Sequence, residues 1–335
     1  MYEMAVSQAF VLALGSLGLG MVLLIRGGNW TIDAAIYIAR HLGVSPLVVG
    51  FTIIAFGTSL PELIVSITAN LKGSPGIAIG NVVGSNIANI LLVLGVTAAI
   101  ATIPAKPRDL LRDIIVMILA TIYLVFLVKS GDMTRISGFV MLGLLLGYVL
   151  WQYKMATKGS IEIEEMEEPE FKSMALAVLF LFLGMVFIAL GAEMLVRGAQ
   201  VSAEIMGVPE SVIGLTLIAL GTSLPELSTC VIAALKKHND IVLGNIIGSN
   251  VFNILMIIGA TTAIKPIIDE GGDQRLLDIN MIIVIGVTLL LSALLLFAGK
   301  IHRSVGFVFV GAYIVYIVAI YAMFMPDMHI PVAVQ

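Results

Sequence analysis

Apolar residues fall in ten runs close to the roughly 20 residues a helix needs to cross the hydrocarbon core of a bilayer. They lie near 8–26, 46–70, 76–101, 113–129, 135–153, 173–196, 210–234, 241–264, 277–299 and 303–324. The fifth and sixth runs are separated by a strongly polar stretch, "KMATKGSIEIEEMEEPEFK" (154–172), with six glutamates between 162 and 170. A solvated acidic linker is the simpler reading of it than a regulatory calcium site. It divides the chain into 1–153 and 173–335. No Lys or Arg precedes the first run, so it lacks the positive start of a signal peptide and reads as a true span.

The two halves repeat. Shifted by 164 positions, 27–95 aligns with 191–259 without a gap, and 30 of the 69 positions are identical. Gly20-Met21-Val22 also matches Gly184-Met185-Val186. With five spans per half, an odd number, the second half must enter the membrane from the opposite side. The expected fold is therefore an all-α membrane protein of ten helices, arranged as two inverted five-helix repeats. Secondary transporters are built this way, with the binding site near the midplane.

The polar positions inside the runs carry the chemistry. "GTSLPEL" occurs at 57–63 and again at 221–227. A proline within a helix removes a donor and clashes with the carbonyl four residues back. A helix through Gly57 to Pro61 should therefore break, freeing carbonyls near Ala55 to Thr58. Irregular backbone at membrane depth survives only inside protein or beside a wet cavity. Thr58 and Ser59 add hydroxyls there and Glu62 a carboxylate, an oxygen set suited to Na⁺ or Ca²⁺. Ala219, Thr222, Ser223 and Glu226 supply the mirror set. Two facing carboxylates then require a cation or protons between them.

The run after each motif completes the pattern. "GNVVGSNIANIL" (80–91) matches "GNIIGSNVFNIL" (244–255). Ser85 with Asn89, and Ser249 with Asn253, are four apart and share a helix face. Gly80, Gly84, Gly244 and Gly248 leave room for a close approach by the broken helix. Asn81, Asn86, Asn245 and Asn250 are expected to satisfy backbone groups around the breaks. One buried glutamate could be a protonated packing residue, and small-residue faces commonly mark helix contacts. Two complete copies in register favour function, the default reading of an ionisable group at membrane depth.

Composition narrows the class. Apolar types make up 59% of the 335 residues and charged types 12%, with a mean hydropathy of +1.09; soluble domains are near a quarter charged. One cysteine, Cys230, excludes an internal disulfide and a thiolate metal cluster. No basic run supports nucleic-acid binding, and no nucleophile–base set supports an enzyme. His41, His238, His302 and His329 lack ligand spacing. Glu193 and Arg197 are expected to pair with each other, and Asp33 to be an interfacial charge. Twelve Lys and Arg fall on one side of the expected membrane and six on the other. By the positive-inside rule both termini are outside and 154–172 is cytoplasmic.

The doubled G-T-S-L-P-E-L, each copy followed by G-N-x-x-G-S-N, resembles the alpha repeats of the Ca²⁺/cation antiporter superfamily, and most closely the prokaryotic sodium/calcium exchangers. The resemblance covers essentially the whole chain. It implies four cation sites between the broken-helix hairpins and exchange of three Na⁺ for one Ca²⁺, with no cofactor. On that resemblance Glu62 and Glu226 are the calcium carboxylates, and Ala55, Ala219, Thr58 and Thr222 are carbonyl ligands. Ser59, Ser223, Ser85 and Ser249 map to sodium-binding hydroxyl positions, and Asn89 to a polar ligand. Asn253 stands where relatives have aspartate, leaving two central carboxylates and arguing against K⁺ co-transport. A monomer in the plasma (inner) membrane is expected. An H⁺/Ca²⁺ exchanger is the second reading, and a passive cation channel the third.

Overall fold

The computed structural model describes residues 2–131, 133–156, 171–206, 219–267 and 274–324. Among them, eight helices are long and apolar enough to cross a membrane, or nine if one bent pair counts as a span. The chain is a multi-pass, all-helical membrane protein. Its outward faces carry large apolar side chains such as Leu12, Phe139, Phe297 and Val308, a pattern that lipid covers and water does not.

The helices are α1 (Tyr2–Leu42), a bent pair α2 (Pro46–Thr58) and α3 (Leu60–Leu71), α4 (Pro75–Ile100), α5 (Pro107–Ser130) and α6 (Arg135–Ala156). After the linker come α7 (Met174–Ile205), α8 (Ala219–Thr222), α9 (Leu224–Leu235), α10 (Asn239–Ile264), α11 (Gln274–Ala293) and α12 (Arg303–Phe324). A two-residue antiparallel ladder pairs Ile103 with Ile301 and Pro104 with Lys300.

Helix α10 is the centre: every residue of its most apolar 18-residue window is buried, against 17% for α1 and α12. Glycines let α2 press onto it. A Cβ at Gly244 would lie 2.4 Å from the Leu47 carbonyl oxygen, and one at Gly248 would lie 2.4 Å from that of Phe51. The two halves of the chain share one core, with Phe51, Ile87 and Ile114 packed in the same cluster as Ile246, Ile257 and Leu291.

At the periphery α1 and α7 run along one another. Gly20 meets the Gly191 backbone and Gly27 that of Gly184, each at under 3 Å from a built Cβ. The shift of 164 carries Gly20 to Gly184 and Gly27 to Gly191, so each glycine faces the equivalent of the other.

Most expected spans match the helices to within a few residues, with one clear correction. The first span does not end at 26: α1 runs to Leu42 because no proline interrupts it, and Gly27-Gly28 is packed against α7 and α9. Asp33 therefore lies on a helix, paired with Lys236 at 2.6 Å. The break expected in the span at 46–70 is there: two helices meet at Ser59, bent by 44°. Residues 207–218, the start of the span expected at 210–234, and 157–170 of the acidic linker lie outside the described residues. Glu193 and Arg197 do pair, at 2.5 Å.

Candidate ion site between the two motifs

Each motif folds into the same break. Ser59 has φ −84° and ψ 2°, and Ser223 has φ −88° and ψ 0°; a helix ends and another begins at each. This position puts Pro61 and Pro225 in the first turn of α3 and α9, where a missing N–H costs nothing because no intrahelical acceptor awaits it. It also puts Glu62 and Glu226 in that first turn, where the positive end of the helix dipole favours negative charge.

The first break is partly bridged. The Ser59 N–H donates to the Ala55 carbonyl at 3.1 Å and the Leu63 N–H to the Ser59 carbonyl at 3.2 Å. Ala55 was expected to have a freed carbonyl; it keeps this partner, with the Thr58 hydroxyl 3.4 Å away. Pro61 has no N–H to offer the Gly57 carbonyl. In the second motif the Leu227 N–H donates to the Ser223 carbonyl at 3.0 Å, and Ala219 opens the short helix α8.

Glu62 and Glu226 are both completely buried, and the first motif reaches toward the second. The Ser59 hydroxyl donates to Glu226 Oε1 at 3.4 Å. Thr58 is buried and Thr222 half-buried.

Helix α3 packs against the turn that carries Asn253, and α9 against the turn that carries Asn89. Both turns are π-helical, over Asn253–Ile258 and Asn89–Val93. Such single π turns gather at functional sites because the wider turn disturbs the normal carbonyl pairing. Nothing in the sequence pattern announced them.

Polar groups in this region are short of partners. Both oxygens of Glu62, Glu226 Oε2, both polar atoms of Asn89, Asn253 Oδ1 and Ser223 Oγ are buried without a hydrogen bond. These seven atoms are half of the fourteen such atoms among the described residues. Buried polar groups are almost always paired, so a concentration of orphans marks a place for a ligand. Six of the seven are oxygens, which suits a hard cation. Among the described residues, no group of three or more His, Cys, Asp or Glu gathers to hold a metal; here two carboxylates combine with hydroxyl and amide oxygens instead.

The asparagines form a frame. Asn81 Nδ2 donates to the Glu62 carbonyl at 3.1 Å and to Ser66 Oγ at 2.9 Å. Its repeat mate Asn245 donates to Thr229 Oγ1 at 3.1 Å and to Cys230 Sγ at 3.3 Å, while Ser249 Oγ donates to Asn245 Oδ1 at 3.4 Å. Ser85 is buried on the equivalent face of α4. Asn86 ties the halves directly: its Nδ2 donates to the Asn250 carbonyl at 3.3 Å, and its Oδ1 accepts from Asn253 Nδ2 at 3.0 Å. Sequence reasoning gave Asn86 only a local backbone role; its place in the repeated motif, beside Ser85, was the available signal.

The sequence profile described as "Sodium/calcium exchanger protein" matches residues 12–154 and 176–322. The chain belongs to the sodium/calcium exchanger family. Among its relatives in that family, the sodium/calcium exchanger MaX1 of Methanosarcina acetivorans is 31% identical, covering 90% of this chain and 97% of its own. The putative antiporter CaxA of Alkalimonas amylolytica is 36% identical, with 90% and 93% covered. The solved structure of the exchanger NCX_Mj soaked with 10 mM Na⁺ and 10 mM Sr²⁺ superimposes with a TM-score of 0.79 at 35% identity, covering 92% of this chain and 98% of that one. The family is one of transporters.

Proposed function

We propose that this chain is a secondary antiporter that exchanges Na⁺ for Ca²⁺ across the inner membrane, with both ions bound between its two motifs. The observation that carries the reading is the cluster of unpartnered buried oxygens around Glu62 and Glu226. The similarity to named exchangers over nine-tenths of the chain supports it.

One Ca²⁺ between the two carboxylates is charge-matched. Na⁺ ions spread over the carboxylates, the hydroxyls of Ser59, Ser223, Ser85 and Ser249, the amide oxygens of Asn89 and Asn253, and the carbonyls of Ala55, Ala219, Thr58 and Thr222 compete for the same oxygens. That competition is what enforces exchange. Three Na⁺ would leave a surplus of one positive charge, since Asn253 adds none. Moving it across the membrane potential is worth about 2.3 kcal/mol per 100 mV, which favours Ca²⁺ export in an energised cell.

The architecture that goes with this reading is ten helices in two inverted repeats, with termini outside and 154–172 in the cytoplasm, working as a monomer. The reciprocal glycine pairing of α1 with α7 supports the inversion, because a two-fold axis between repeats makes equivalent residues face each other's mates. Sliding of α1 and α7 past the other helices provides alternating access.

Proteoliposomes loaded with Na⁺, K⁺ or protons and diluted into ⁴⁵Ca²⁺ test the function. Uptake is expected only from the Na⁺-loaded vesicles and should be faster when the interior is made positive. Uptake driven equally by a proton gradient, or proceeding with no counter-ion, would replace this reading by a proton exchanger or a channel.

A further inference from the structure

A cavity of about 550 Å³ lies where the C-terminal ends of α1 and α6 meet the N-terminal ends of α2 and α5. None of the ion-site residues lines it. Four cationic side chains do: Arg40, Lys106, Arg108 and Arg112.

The Arg40 guanidinium has Nε and one terminal nitrogen buried without any hydrogen-bond partner. A guanidinium carries five donors and no acceptor, so leaving two of its nitrogens shut from water and unpaired costs free energy that an anion would recover. Three carboxylates also line the cavity, Asp109, Asp113 and Asp240. Asp113 is already engaged, accepting from the Tyr148 hydroxyl and from Gln152 Nε2. Arg40, Lys106 and Arg108 take part in none of the ion pairs among the described residues, and Arg112 lies 5.7 Å over the Trp151 ring. The 24-residue helix α5 begins in the cavity wall at Pro107 with no side chain capping it, so its positive end adds to the attraction for an anion.

The place also selects the ligand. The cavity sits at the ends of membrane-crossing helices, where lipid headgroups are expected, and its lining includes the exposed Trp151, an aromatic of the kind enriched at the interface. Its volume exceeds what one small inorganic ion fills. We propose that this cavity binds a phosphate group, supplied by the headgroup of an acidic phospholipid whose phosphate is held by Arg40 with Lys106 and Arg108. Basic pockets between transmembrane helices hold such headgroups.

The test uses the full-length chain, delipidated in detergent and titrated in two arms. One arm adds phosphatidylglycerol and is read by native mass spectrometry; the other adds inorganic phosphate at matched ionic strength and is read by thermal unfolding. Wild-type protein is expected to retain phosphatidylglycerol about tenfold more tightly, 1.4 kcal/mol, than Arg40→Gln or Arg108→Gln. A stabilisation by inorganic phosphate alone that the same variants lose would assign the site to free phosphate. Equal retention and equal stabilisation in wild type and variants would overturn the proposal. Arg108 and Lys106 are exposed, so Arg108→Gln and Lys106→Gln keep the test decisive if Arg40→Gln does not fold.

Discussion

Glu62 and Glu226 hold equivalent places in two copies of one motif, yet their surroundings differ. Glu226 has the Ser59 hydroxyl on one oxygen, whereas neither oxygen of Glu62 has a partner. The mate of Ser59, Ser223, has a hydroxyl that finds nothing. Asn253 is anchored through its Nδ2 to Asn86, while both polar atoms of Asn89 are orphaned. The same side chains therefore stand half engaged and half waiting. On the proposed inverted arrangement, that is what one end of an alternating cycle requires: exchanging the roles of the copies would generate the other end.

The largest effect is expected where the copies must cooperate. Glu62→Gln and Glu226→Gln each replace a buried carboxylate with an amide that brings N–H donors toward a cation. Either should lower Na⁺-driven ⁴⁵Ca²⁺ uptake at least 100-fold while leaving the protein folded. Full activity in one variant would mean that only the other carboxylate holds the ion, and the comparison would break.

Next comes packing. Gly248→Ala places a methyl 2.4 Å from the Phe51 carbonyl oxygen, an overpacking that costs on the order of 1–3 kcal/mol. It is expected as a drop in thermal midpoint of the folded protein. An unchanged midpoint would show that α2 does not press on α10 at this glycine.

The smallest effect separates the two frames. Asn81→Ala removes the donor to the Glu62 carbonyl and Ser66, and Asn245→Ala removes the donor to Thr229 and Cys230 and the acceptor of Ser249, each lost hydrogen bond being worth about 0.5–1.5 kcal/mol. Only Asn81 touches the backbone of a glutamate directly. Asn81→Ala is therefore expected to weaken Ca²⁺ competition against Na⁺ several-fold more than Asn245→Ala, in uptake assays at varied Na⁺.

Much of this was legible in the sequence because the repeat doubles every signal. The break at Ser59, the glutamate after the proline and the Ser-x-x-x-Asn faces follow from proline chemistry and helical spacing, and their recurrence 164 residues on separated them from packing accidents. What escaped notice depends on contacts across the fold. The extension of α1 to Leu42 rests on α7 and α9 covering Gly27-Gly28, which no local pattern reveals. The π turns at Asn89 and Asn253 have no composition signature. The bridge from Asn86 to Asn250 and Asn253 joins residues far apart in the chain, and Asp113, read only as the edge of a span, turns out to anchor Tyr148 and Gln152.

All of this depends on one shared ion position contacted by a side chain from each copy. Crystals of the chain soaked in Sr²⁺, a divalent stand-in for Ca²⁺, measure that directly by anomalous scattering. A single dominant peak within about 2.6 Å of oxygens from both Glu62 and Glu226 is expected. A peak touching one of them alone, or two separate peaks each serving its own motif, would contradict it.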